Sequence, residues 1–535
     1  MNLVTEPWIP VILCDGTPQL VSLLEVFTSG DKYADLAVRP HERIALMRLL
    51  ICIAQAALDG PETFDDWLQA PEKLPLSAER YLNEKADCFE LFAVNANESS
   101  KPFLQVTWPQ REGYTDKSTP LSKLDIPLAS GNNSILFDHY GLLGRERFFS
   151  PAKIALSLLA FQNYAQGGGI SASIWTEKSK NFADAPCKPS SMLHSFIRGE
   201  NLFNSICLNL LTKFSVKKYL GEDSWGTPIW EKPPSSFDDF DARENAIKTY
   251  LGRLVPLSRL VKLTSACGDA LISSGYEYPR FPEFHAEPSA TVIVNQNDGE
   301  RKLLGAGLKA IWRELPALIV SRQQNEVGGA LTLSNVTDES AFDIWVGALL
   351  IHPRKTAEVL DSIEAVFHIP MGLRTDSGRG AYDDEIKWSE KVARRLSLSV
   401  ETYREQFDGG WKSRVESTKP QDRWNLKDKL HSTATRHYWT AVEKLRPLLM
   451  VHIETFEMSQ ATLEEMHVVA EKRETTQTVW RKAVRHAAYD AYRLACGQET
   501  PRQIKAFALG WEKLVGRPIT QPENNQESET EHVGD

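Results

Sequence analysis

Gly131-Asn132-Asn133-Ser134-Ile135-Leu136-Phe137, then Ser150-Pro151-Ala152-Lys153-Ile154-Ala155-Leu156-Ser157-Leu158-Leu159-Ala160-Phe161-Gln162, then Gly167-Gly168-Gly169 make up the stretch around which the rest of the chain is read. Its first four residues suit a turn. Ile135, Leu136 and Phe137 follow as three apolar residues in polar surroundings. Ser150 and Pro151 read as the N-cap and first position of a helix, which predicts a short, mostly apolar helix over 152–162. Three glycines in a row cannot hold an apolar core. They either let a backbone approach a partner closely or let the chain hinge. On pattern alone the whole stretch is a loop, a helix and a flexible connector.

The chain has 535 residues, enough for two or more cores. Hydrophobic residues make up 42% and charged residues 25%, which is the balance of a soluble globular protein. Cys14, Cys52, Cys88, Cys187, Cys207, Cys267 and Cys496 are scattered and form no CxxC pair. That spacing argues against a zinc site or a disulfide framework and for a reducing, cytoplasmic compartment. No basic-then-apolar leader opens the chain, and no run of about 18 apolar residues spans a membrane. Net charge is −10. A protein that grips nucleic acid alone usually carries a basic surplus. The acidic balance leaves room only for touching DNA at a few points while other subunits hold most of it, or for no nucleic-acid role at all.

Residues 8–13, a turn at Asp15-Gly16 and residues 19–24 read as a β-rich start. Pro40 opens a helix with a nearly continuous apolar run over 44–57, the mark of a buried helix. Residues 221–240 are rich in Pro, Trp and Asp and read as irregular. Residues 291–304, with Asn295, Asp298 and Gly299 at the tip, give the clearest hairpin signal in the chain. Residues 308–320 and 342–351 read as buried helices. Residues 372–380 read as a polar linker containing glycine. Beyond it, 384–406, 426–455, 463–474 running into 479–496, and 502–515 have helical period. The expected fold class is α+β: a large mixed N-terminal domain over 1–372, a C-terminal antiparallel four-helix bundle over 373–519, and a disordered acidic tail over 520–535.

Four short segments lie in the right order to resemble a known family. They are Asn2-Leu3 with Trp8-Ile9-Pro10, the run from Phe196 to Leu211, Leu251-Gly252-Arg253-Leu254-Val255-Pro256-Leu257-Ser258-Arg259, and Ala434-Thr435-Arg436-His437-Tyr438-Trp439. Together they resemble CasA, the large subunit of the type I-E CRISPR surveillance complex Cascade, over nearly the whole length. The resemblance implies a non-catalytic subunit whose partners are crRNA, other Cascade subunits, double-stranded target DNA and a helicase–nuclease. It also implies no cofactor. It places Gly167, Gly168 and Gly169 against the protospacer-adjacent motif, where bare backbone enters a minor groove about 6 Å wide. It places Phe137 in the loop that meets the crRNA 5′ end; beside it, Asn132 and Asn133 are able to hydrogen-bond a nucleic-acid edge. By residue pattern alone Phe137 is as well a core residue and the two asparagines a turn.

Two further places follow from the resemblance. Arg354, Lys355 and Thr356 lie where CasA has a strand-parting wedge, but Thr356 stands in place of a glutamine. The same residues read equally as a solvated basic loop. Asn295 stands near the position of a groove-contacting lysine, with Lys302 farther along. Some CasA proteins carry a cysteine cluster before this hairpin; only Cys267 remains here, which predicts no zinc. Lys472, Arg473, Arg481, Lys482 and Arg485 form a basic run, either a solvated face or a guide for a DNA strand. The chain has no GxxxxGKS, HExxH or GxSxG motif, and its histidines lack metal-ligand spacing. The remaining alternatives are a scaffold protein without nucleic-acid contact and a hydrolase whose site assembles only in space.

Overall fold

The computed structural model describes residues 1–92, 102–110, 118–126, 149–169, 174–175, 181–182, 184–264, 269–295, 297–307, 309–322, 327–336, 341–352, 359–408, 420–457 and 463–516. It divides into two compact units, Met1–Ile369 and Pro370–Asp535.

The first unit mixes helices with small antiparallel sheets. Ile9–Leu13 is the middle strand of a three-stranded sheet, flanked by Pro18–Val21 and Tyr33–Leu36. The third strand had no clear signal in the sequence. Ser22 caps the next helix, Leu23–Thr28, in a reciprocal box with Glu25. The helix Pro40–Ala57 is buried along nearly all its length. An apolar run with no polar stripe finds a home only where neighbours cover every side, and here they do. Pro151–Tyr164, Phe64–Glu84 and the strand Phe342–Ile351 all pack against it. Ser150 accepts from the Lys153 N–H and Pro151 takes the first position, as the local sequence predicts.

The run over 342–351 is a strand, Phe342–Ile351, and not a helix. It is paired on one side with Val359–Ile369 and on the other with His194–Arg198. A strand with a partner on each edge and both faces covered shows no alternation, so its continuous apolar sequence resembles that of a buried helix. The helix expected over 308–320 is likewise reduced to a 3-10 turn, Ile311–Glu314, and one helical turn, Leu315–Leu318; Pro316 suits only the first turn of a helix. Leu308 lies outside the described residues. The hairpin forms as read: Val292 faces Leu303 and Val294 faces Arg301.

In the second unit, Asp376–Asp408 packs along Pro501–Val515, Leu463–Ala495 and Pro420–Lys444. Apolar side chains at helical spacing meet inside, among them Tyr382, Val400, Tyr438, Trp480 and Tyr492. The polar stretch over 372–380 is helical and not a linker. Met371–Arg374 forms one turn and Asp376 begins the long helix. The Thr375 hydroxyl accepts from the Gly378 N–H (3.0 Å) and donates to the Gly372 carbonyl (2.9 Å). A Cβ at Gly378 would collide with that carbonyl, so the glycine permits close packing here. The helix read over 426–455 breaks at Leu445, just before Pro447, into Pro420–Lys444 and Arg446–Glu454.

Candidate nucleic-acid interface

The segment from Asp184 to Ser195 gathers three of the stretches singled out in the sequence. Residues 163–169 run beside 181–187. The Ala185 N–H donates to the Ala165 carbonyl (2.9 Å) and the Cys187 N–H to the Asn163 carbonyl (3.1 Å). Gly168 faces Phe182 and Gly169 faces Asn181 in a short antiparallel ladder. Residues 191–195 run beside the root of the hairpin. The Leu193 N–H donates to the Leu304 carbonyl (2.9 Å), and the Ala306 N–H to the Ser191 carbonyl (2.8 Å). The long central strand ends at the same place, where the Ile351 N–H donates to Ser191 Oγ (2.9 Å).

The glycines are therefore a strand end, not a hinge. Their backbone is tied from both sides. Asp184 Oδ1 accepts the Gly167 N–H at 2.7 Å. The Arg259 guanidinium donates to the Gln166 carbonyl. Asp184 also holds Lys188 Nζ at 3.1 Å and Arg280 at 3.6 Å. Lys188 is almost fully buried; burial pushes its ammonium pKa down, and Asp184 opposes that shift. Burial likewise lowers the Arg259 guanidinium to about 10. Arg259 is itself fixed by Gln162 near the end of the Pro151–Tyr164 helix. The Gln162 side chain donates to the Arg259 carbonyl (2.8 Å) and accepts its N–H (3.0 Å).

At the hairpin tip, Asn295 closes the turn. Its amide donates to Asp298 Oδ2 (2.6 Å) and accepts from Lys302 Nζ (3.3 Å). Gly299 sits at φ +72°, where a side chain would be strained. Positive charge on the hairpin comes from the exposed Arg301 and Lys302. The hairpin is anchored at its root by a buried triad. Glu287 takes Arg48 at 2.8 Å on one carboxylate oxygen and Arg253 at 2.5 Å on the other. Arg322 adds a bond from its guanidinium to the Ala290 carbonyl.

Asn132, Asn133, Phe137, Arg354, Lys355, Thr356 and Cys267 lie outside the described residues. Gly167, Gly168, Gly169 and the root of the Asn295 hairpin are thus joined through one backbone segment. Asp184 carried no signal in the sequence, being an ordinary acid in a polar loop. Arg259 closed one of the four family-like segments without any stated role.

In the second unit the basic run mostly serves its own interior. Arg481 pairs with the buried Glu385 (2.6 Å), and both Arg481 and Arg485 lie over the Trp388 ring. Arg473 stacks on Phe456 (4.1 Å) and donates to the Thr455 carbonyl (2.9 Å). Of the five, Lys472, Lys482 and Arg485 are exposed, and Arg473 and Arg481 half-buried.

Solved structures that share this fold include CRISPR-associated proteins. CasA of Thermus thermophilus matches with a TM-score of 0.71 at 22% identity, over 96% of this chain and 98% of that one. A chain of a structure described as a CRISPR RNA-guided surveillance complex matches with 0.67 at 18% identity, over 96% of this chain and 99% of that one. The sequence narrows the class further. The family described as CRISPR-associated protein Cse1 matches residues 2–491. The CasA/Cse1 protein of Thermus thermophilus is 30% identical over 411 residues, 74% of this chain and 76% of its own length. This chain belongs to the Cse1 family, the CasA-type large subunits of type I-E Cascade.

Proposed function

We propose that this protein is the non-catalytic large subunit of a type I-E Cascade complex and works in the cytoplasm without a cofactor. In this reading it joins crRNA and the other subunits, tests double-stranded DNA for the protospacer-adjacent motif, helps open the duplex into an R-loop and recruits a helicase–nuclease. Gly167, Gly168 and Gly169 bring backbone to the minor groove. The Asn295 hairpin approaches beside them, with Lys302 supplying charge. Arg354 and Lys355 meet phosphates and Thr356 stands at the wedge. Phe137 meets the crRNA end, and Asn132 and Asn133 hydrogen-bond a nucleic-acid edge. The helical unit, taken as the antiparallel four-helix bundle, completes the subunit. Guide pairing reads the sequence, and the protein reads only the short motif.

One observation carries this reading. In a chain of this family, the glycine strand, the hairpin root and the end of the central strand all meet at residues 184–195. The test is Gly168→Asp in the assembled complex. It places a side chain and a negative charge where backbone is to meet an anionic groove. Affinity for motif-bearing duplex is expected to fall at least tenfold, about 1.4 kcal/mol, with single-stranded target binding little changed. Gly168→Ala separates bulk from charge. Equal losses on duplex and single strand would signal failed assembly and remove the groove assignment.

A further inference from the structure

The glycine strand has a direction that its ladder fixes. In an antiparallel pair, successive residues turn their N–H and C=O alternately toward and away from the partner. The carbonyls of Asn163 and Ala165 point toward 185–187, accepting from Cys187 and Ala185, while the Ala165 N–H still bonds back to the Phe161 carbonyl at the helix end. Continuing in step, Gly167 and Gly169 also face the partner strand, while Gln166 and Gly168 face away. The bonds agree with this. Gly167 N–H meets Asp184 on the partner side, and the Gln166 carbonyl meets Arg259 on the other side. Gly168 therefore presents its own N–H and C=O at the outer edge of the ladder, which among the described residues no further strand covers.

Three consecutive glycines have the largest backbone entropy of any tripeptide, so they do not hold a direction unaided. The Gln166–Gly167 peptide group is gripped at both of its polar atoms, oxygen by Arg259 and nitrogen by Asp184. We infer that Asp184 and Arg259 are positioning residues that aim the free edge of Gly168 at the duplex. The inference rests on the proposal that Gly168 meets duplex DNA, and it assigns motif readout a dependence on two residues that need not touch DNA. Asp184 is the better to test, because Lys188 and Arg280 converge on it as well and keep its carboxylate in place.

The experiment uses reconstituted complex carrying Asp184→Ala. Binding to motif-bearing duplex is expected to weaken five- to tenfold while single-stranded target binding and complex assembly stay within twofold. Amide hydrogen exchange at Gly167, whose N–H Asp184 accepts, is expected to speed up at least tenfold, a readout that a purely electrostatic role in DNA attraction would not move. Because the change leaves Lys188 buried without its counter-charge, Asp184→Ala combined with Lys188→Met serves as a second variant, and the same two effects are expected there. Asp184→Asn keeps an acceptor for the Gly167 N–H and is expected to recover most of the duplex affinity when combined with Lys188→Met. Unchanged exchange at Gly167, or unchanged duplex binding in the double variant, overturns the inference. If Gly168→Asp weakens duplex binding and the Asp184 variants do not, only the positioning role fails. If Gly168→Asp has no effect, the groove contact itself fails.

Discussion

Among the described residues, His41 and His194 tie the stability of the fold to mildly acidic pH. Both are fully buried. Burial is the main cause that lowers each imidazole from 6.5 to about 4. Among the described residues neither nitrogen of His41 has a hydrogen-bond partner, whereas His194 Nδ1 lies 2.8 Å from Ser289 Oγ. The unfolded chain protonates these groups near pH 6.5 and the folded chain only near pH 4. Their contribution to stability is therefore complete above pH 6.5 and is lost as pH falls from 6.5 to 4. Each accounts for roughly 3 kcal/mol over that range, since one pKa unit is about 1.4 kcal/mol. The melting temperature is expected to decline already between pH 6.5 and 5, where most carboxylates are still ionised. His41→Leu should flatten that slope, and a constant melting temperature over the interval would count against buried neutral histidines. Glu287 acts in a lower window. Burial alone would raise its carboxyl, but Arg253 and Arg48 hold it down to about 2. Its contribution is present above about pH 4.5 and disappears between there and pH 2.

At the scale of elements, the helix Leu463–Ala495 shows why a basic run is weak grounds for a DNA-binding face. Arg481 reaches inward to Glu385, whose side chain is 1% exposed. Removing the arginine leaves a buried carboxylate without its cation, with only the Gln477 amide, among the described residues, still donating to it. Arg481→Ala is expected to destabilise the protein by about 3 kcal/mol. Lys472→Ala and Lys482→Ala, on the exposed side, should stay within about 0.5 kcal/mol. Chemical denaturation distinguishes the two cases; a silent Arg481→Ala would show that the helix does not depend on this pair. The strand Phe342–Ile351 teaches the same caution from the apolar side. Its hydrophobic run names no element until its two partner strands are in place.

At the scale of the whole molecule, charge sets the division of labour. With a formal net charge of −10, the isolated chain carries no general attraction for a polyanion. Alone it is expected to bind short duplexes weakly and without strong motif preference, and to gain specificity only once crRNA and the other subunits hold the target. Filter binding or gel shifts at several salt concentrations would check this. Tight, motif-specific binding by the isolated subunit would contradict it. Among the described residues no helix is long and apolar enough to cross a membrane.

The sequence by itself determined the features that depend on neighbours a few residues away. Ser150 with Pro151 marks a helix start, Pro40 opens the buried helix, and Asn295 to Gly299 marks a hairpin, because caps and turns are made by local hydrogen bonds and fixed dihedrals. It also carried enough family-like residues, in order, to point to CasA. Tertiary structure alone decided the rest. Whether 342–351 is a helix or a strand depended on Val359–Ile369 and His194–Arg198 supplying hydrogen bonds at its edges. Whether 372–380 is a linker or a helix depended on Gly372 and Gly378 being packed closer than any side chain allows. Of the proposed site, the identity of Gly167, Gly168 and Gly169 was legible, but their fixed direction was not. It comes from Asp184 and Arg259, 17 and 93 residues away in sequence from the atoms they hold. A side-chain-to-backbone bond across such a distance leaves no periodicity or spacing to read, since only the folded chain brings its two ends together.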